Sequence, residues 1–118
     1  LIRGNHDLKS GDPWAKLSIK CHGEPFSIKH LNCRHHPSNK ENTPYLAGHI
    51  HPGYSIKGMG RGSVRAACFW VRRESIILPA FGSFTGLKNI SPNPEDKIYL
   101  SNDREIVHVG IPKLGQKF

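Results

Sequence analysis

The chain has 118 residues, the length of one domain with a modest core. Its hydrophobic fraction is 36%, with twelve glycines and nine prolines, yet Ile, Leu, Val, Phe and Trp recur in short runs between turns, which excludes a disordered chain. A formal charge of +8, spread over both halves, favours a polyanionic partner such as nucleic acid, and no apolar stretch has the length needed to cross a membrane.

The chain opens on Leu1-Ile2-Arg3, which reads as the tail of a buried strand delivering Gly4-Asn5-His6-Asp7 into a loop, Gly4 permitting a tight turn. Asp12-Pro13 matches a helix start, Asp as N-cap and Pro at the first helical position, with Trp14 and Leu17 as the apolar side of a short helix. Residues 17–21 then alternate with a period of two, Gly23-Glu24-Pro25 is a turn, and residues 26–31 alternate again; this predicts a hairpin running into Arg34-His35-His36-Pro37. Residues 38–43 are a polar loop, and Tyr45-Leu46-Ala47 is a short buried strand ending at Gly48.

Residues 53–62 are glycine-rich and basic, without periodicity, and are expected to form a mobile surface loop. Residues 64–71 and 75–78 form a second hairpin across Arg72-Arg73-Glu74, and residues 80–86 alternate small and aromatic side chains. A proline-containing loop covers 91–96, and residues 97–100 and 105–109 form a third hairpin across Asn102-Asp103-Arg104. The polar tail from Lys113 is expected to fray.

Three cysteines, Cys21, Cys33 and Cys68, are odd in number and form no C-x-x-C pair. They exclude a disulfide framework or zinc knuckle and imply a reduced, cytoplasmic setting, with each Cys a small core residue. Leu1-Ile2 runs straight into Arg3-Gly4-Asn5, so no signal peptide is expected at this start, and Met59 is the one methionine. The expectation is a single partial domain over 1–118, a piece without its own N-terminus.

The chemistry concentrates in three short segments. His49 and His51 are two apart; on extended backbone their Cα atoms would lie about 6.5 Å apart with both rings on one side. The imidazoles could then converge on one metal, or on two ions about 3.5–4 Å apart. Side chains alternate along extended backbone, so only one of His35 and His36 is expected to face such a site. Asn5 can offer its side-chain oxygen as a neutral ligand, and His6 can act as a proton donor with Asp7 holding its ring.

Taken in order, Gly-Asn-His-Asp, His-x-Pro and Gly-His-x-His resemble the calcineurin-like metallophosphoesterase superfamily. Arg34-His35-His36-Pro37, Ala47-Gly48-His49-Ile50-His51-Pro52, the run from Arg65 to Trp70 and the run from Leu78 to Gly86 look like its ligase-associated DNA damage response endonuclease branch. The resemblance covers most of residues 1–90 and implies an α/β fold: a metallophosphoesterase β-sandwich flanked by helices, of which the strand-rich C-terminal portion is present. It implies that Asn5, His35 and His49 ligate one metal and His51 a second, His35 taking precedence over His36 through the branch pattern Arg-His-x-Pro. His6 would be the general acid and Asp7 its orienting partner.

The implied cofactors are two divalent ions, manganese first, with iron or zinc as alternatives. The implied activity is phosphodiester hydrolysis by a metal-activated hydroxide, a DNA endonuclease linked to repair and to a DNA ligase. Lys57, Arg61, Arg72 and Arg73 are candidates for substrate phosphate.

The superfamily also carries an Asp-x-His and a Gly-Asp ahead of Gly-Asn-His-Asp. No Asp-x-His exists in these residues, and Gly11-Asp12 lies on the wrong side of the motif. Two other readings therefore stand beside the nuclease: a phosphoesterase for a small nucleotide, and, for this chain by itself, an inactive basic nucleic-acid-binding fragment.

Overall fold

The computed structural model describes residues 1–112 apart from 41, 58, 59, 61, 83 and 84. The expected fraying of the tail, the loop residue Arg61 and part of the 80–86 alternation lie outside the described residues.

Among the described residues the chain is mostly β, a mixed sheet with little helix, in line with the strand-rich portion expected of it. Its helical content is α1 (Asn5–Ser10) and one 3₁₀ turn at Ala15–Leu17. The strands are β1 (Phe26–Ile28), β2 (Leu31–Cys33), β3 (Tyr45–Ala47), β4 (Pro52–Lys57), β5 (Ser63–Val71), β6 (Ser75–Ile77), β7 (Lys88–Asn89), β8 (Lys97–Ser101) and β9 (Ile106–Val109). They run in the order β1-β2-β3-β6-β5-β4-β7, and β8 joins β5 with β9 beside it.

Three strands, β2, β3 and β6, are parallel neighbours, so the loops that follow them leave from one edge of the sheet. That edge carries the histidine segments after β2 and β3, where open sheets with parallel strands bind their ligands. Backbone hydrogen bonds continue past the strands: Arg34 N–H donates to Leu46 O (2.9 Å) and Gly48 N–H to His35 O (3.0 Å). The two histidine loops are thereby stitched together before any side chain is considered.

The core is small. The buried hydrophobic residues among those described are Tyr45, Ala47, Cys68, Ile77, Ile98 and Leu100. Tyr45, Ala47 and Ile77 form one cluster, Cys68, Ile98 and Leu100 another, and Trp70 packs against both. Burial pushes the Cys68 thiol up to about 11, so it stays protonated and unreactive. Cys21 and Cys33 are only partly buried, so the expectation of three core cysteines holds for one.

Several predicted elements change. No helix starts at Asp12-Pro13: both Asp12 carboxylate oxygens are taken by the Arg3 guanidinium at 2.7 and 2.8 Å. The helix starts earlier, at Asn5, where Gly4 N–H donates to Asp7 Oδ2 (2.8 Å). Residues 17–21 form no strand; the end of the segment is tied to the first residues of the chain by an isolated bridge between Ile2 and His22. The run 26–31 instead folds on itself, β1 and β2 pairing antiparallel about Lys29-His30. The glycine-rich loop expected at 53–62 is in its first part β4, paired with β5 from Gly53↔Ala67 to Lys57↔Ser63. Gly53 explains the glycine there: a Cβ would stand 2.9 Å from Leu87 Cβ, so β4 needs a bare Cα to lie against the segment before β7.

Candidate metal centre

Three loops meet at the C-terminal edge of the parallel strands. Asn5 is the first residue of α1, His35 follows β2, and His49 follows β3. His35 Nε2 lies 3.0 Å from Asn5 Oδ1 and 3.0 Å from His49 Nδ1, so three heteroatoms from three separate segments face one another. Gly4 is what lets the His35 ring sit there. Its φ is −109°, ordinary for any residue, but a Cβ at this position would fall on the ring, 2.6 Å from Nε2. The glycine serves close approach, not a turn.

Gly4→Ala is accordingly expected to push the His35 ring off Asn5 and His49. A titration with Co²⁺ should show at least about tenfold weaker binding in a protein that still folds, on the scale of losses from a misplaced supporting group. Unchanged Co²⁺ affinity would mean that the ring has another place to go.

His36 joins the cluster against expectation. The backbone bends at His35–His36 directly after β2, so the alternation of a strand no longer applies. Ring centroids are 4.7 Å apart for His35–His36, 5.0 Å for His35–His49 and 4.3 Å for His36–His49. One ring nitrogen from each of His35, His36 and His49 lies within 4.8 Å of the others. No carboxylate joins this group among the described residues.

The His49/His51 segment is not extended either. Both residues have positive φ, 69° and 55°, a left-handed conformation that costs a residue with a Cβ roughly 1–2 kcal/mol. Between them Ile50, partly buried, packs on the Tyr45–Ala47–Ile77 cluster, and Lys88 N–H donates to His51 O at 2.9 Å, so packing and a backbone hydrogen bond both tie the loop down. His51 stands beside the three-ring group without being part of it, near enough for its charge to act on His49.

His6 is exposed on α1, and the side-chain hydrogen bond of Asp7 goes to Gly4 N–H rather than to the His6 ring. Lys57 is exposed at the far end of β4 from Pro52. Arg72 and Arg73 line a cavity of about 680 Å³ with Ser38, Tyr45, Asn93 and Asp96. That cavity is at the N-terminal end of β3 and β6, the opposite end from His49. Arg72 lies over the Trp70 ring, 4.9 Å from its centroid. These arginines do not share the histidine site.

Glu24 is the residue that sequence reasoning missed. Its Oε2 accepts the backbone N–H of His35 (2.8 Å) and of His36 (2.9 Å), and its Oε1 meets His36 Nδ1 at 2.7 Å. Desolvation is the largest single influence on this carboxylate and would raise its pKa, but hydrogen bonds from His36 and His35 together hold it below the usual value.

The histidines are shifted in the direction a metal site needs. His35 is lowered by desolvation first, then by the neighbouring His36 and His49; His49 is lowered by desolvation, then by His36 and His51. Both are therefore neutral at pH 7, with a ring lone pair to give. Two neutral imidazoles and an amide oxygen make a donor set suited to a borderline divalent cation, so the residues fit one ion.

No protein-family model matches the chain, and no curated protein does. Among solved structures, the crystal structure of Pseudomonas putida nuclease MPE is similar, with a TM-score of 0.76 at 35% identity, over 92% of this chain and 52% of that one. The chain belongs to the calcineurin-like metallophosphoesterases, on the branch of that nuclease. It spans about half the length of this relative, and within that half the Asn5, His35 and His49 motifs come together.

Proposed function

We propose that this chain carries part of the metal centre of a phosphodiesterase that cleaves nucleic acid, DNA first, in the cytoplasm and in association with strand repair. The observation that carries the reading is the meeting of Asn5 Oδ1, His35 Nε2 and His49 Nδ1 at 3.0 Å contacts in a relative of a nuclease. Asn5, His35 and His49 hold one divalent cation, manganese being the first candidate, and His51 is the donor this chain contributes towards a second. When bound, the cation supplies Lewis-acid stabilisation of the negative charge on a phosphoryl oxygen.

The remaining work falls to side chains. His6, exposed beside Asn5, holds a proton for the leaving oxygen, and the Gly4–Asp7 hydrogen bond fixes the helix turn that presents it. The basic surface retains the polyanionic substrate, with a steep salt dependence as its signature. Lys57 is the candidate phosphate contact on β4.

The test is Mn²⁺ binding by calorimetry for this chain and its His49→Ala variant, together with nicking of plasmid DNA in Mn²⁺, with and without a chelator, by the whole phosphodiesterase and its His49→Ala variant. The expected result is Mn²⁺ binding by the wild-type chain, lost in His49→Ala, and chelator-sensitive nicking by the whole enzyme that His49→Ala removes. A wild-type chain that binds no divalent cation, or a whole enzyme whose nicking is identical in His49→Ala, overturns the proposal.

A further inference from the structure

Glu24 lies eleven residues before His35 in sequence, in the turn that precedes β1, yet it places three hydrogen bonds on the histidine loop. A carboxylate at neutral pH only accepts. The two backbone N–H groups satisfy Oε2, so the contact from His36 Nδ1 to Oε1 at 2.7 Å has its proton on Nδ1. In a neutral imidazole that leaves Nε2 with a bare lone pair, the form that binds a metal. The His36 ring meanwhile sits 4.3 Å from His49 and 4.7 Å from His35, centroid to centroid.

We infer that Glu24 is a positioning residue, which fixes the His36 tautomer and so delivers a third imidazole to the metal centre. This rests on the metal reading above and extends it. The donors become Asn5 Oδ1 and one nitrogen each from His35, His36 and His49. A set richer in nitrogen than in oxygen prefers Zn²⁺ or Co²⁺ over Mg²⁺, because imidazole suits borderline cations and hard cations want oxygen. Glu24 acts through His36 and the two amides and touches no reacting atom.

Glu24→Gln separates this role from a merely structural one. The glutamine has the same size, and its one oxygen can still accept the amides of His35 and His36. Its NH₂ then faces His36 Nδ1 and donates to it, which moves the imidazole proton to Nε2 and closes that nitrogen to a metal. Zn²⁺ and Co²⁺ titrations of the chain are expected to show affinity falling about 10–100-fold in Glu24→Gln, as for other second-layer partners of ligating histidines. The Co²⁺ absorption bands should change with it, and Mg²⁺ should bind the wild type far more weakly than Zn²⁺.

Independently, nitrogen chemical shifts of the metal-free chain in alkaline buffer should report the Nδ1–H tautomer for His36 in the wild type and Nε2–H in Glu24→Gln. Wild-type Zn²⁺ affinity in Glu24→Gln, or an Nε2–H tautomer in the wild type, overturns the inference. If the wild type binds no divalent cation, the metal reading falls and the delivery of His36 to a metal falls with it. The tautomer measurement then still shows whether Glu24 sets the proton on His36.

Discussion

His35→Ala is expected to remove divalent-cation binding, with a loss of affinity of at least about 100-fold in a Co²⁺ titration and an intact fold. His35 is the hub of the cluster: its Nε2 faces both Asn5 Oδ1 and His49 Nδ1, and its ring fills the space left by Gly4. Without it Asn5 and His49 have no common partner, and the donors that remain, His36 among them, lose the ring that joins them and hold a divalent ion weakly.

The same variant should change the pH dependence of stability. The folded His35 is held below its ordinary value of 6.5 by desolvation and by the neighbouring histidines, so the unfolded chain binds protons more readily. Stability therefore falls as pH drops below about 6.5, through the window down to the folded-state value, and levels off below it. His35→Ala should flatten that part of the acid limb, read by urea unfolding at a series of pH values in a chelator. Affinity retained within tenfold would place the metal elsewhere and remove the centre described above.

Ile98→Ala is expected to be the most damaging of the core substitutions, lowering unfolding free energy by about 2–5 kcal/mol, the range for truncating a fully buried isoleucine. Ile98 has no exposed surface, lies between Trp70 of β5 and Val109 of β9, and sits in the Cys68–Leu100 cluster. With so few buried hydrophobic side chains to share the load, that loss is a large fraction of an ordinary domain's 5–15 kcal/mol, about which a small chain has little to spare. Urea unfolding monitored by tryptophan fluorescence measures it. A change below about 1 kcal/mol would show that the cluster collapses around the gap.

The elements that could be read from sequence are those whose burial pattern is local. Tyr45-Leu46-Ala47 is buried, half-buried, buried, and the hairpins about Arg72–Glu74 and Asn102–Arg104 combine apolar alternation with turn residues. The site motifs were legible for a different reason: their residue types and order resemble a family, and the geometry then brought Asn5, His35 and His49 into contact. Where pattern and environment part, the reading failed. Residues 17–21 alternate but find no ladder partner, so Leu17 and Ile19 stay exposed. β4 pairs through backbone and register with β5 despite Ser55, Ile56 and Lys57 being exposed, so its strand character lies in its partner. Helix α1 begins with Asn, His and Asp, which favour turns, and is started by the Gly4–Asp7 contact instead. Glu24 gave no signal because its effect crosses a gap in sequence, and His36 joined the site because the chain bends where an extended strand was assumed.

The double pairing of β5 has a consequence for how the molecule opens. Trp70 and Val71 have ladder partners on both flanks, Ile77 and Ile76 of β6 on one side and Ile98 and Lys97 of β8 on the other. Trp70 also donates from Nε1 to Asp96 at 2.9 Å. The backbone amides around these two residues should be the slowest in the molecule to exchange with deuterated solvent, because no local fraying frees them. β6 in turn borders β3, whose end carries His49, so the step that finally exposes those amides also dissolves the histidine edge. Exchange at Trp70 then serves as a clock for the lifetime of the site, although no atom of Trp70 lies within it.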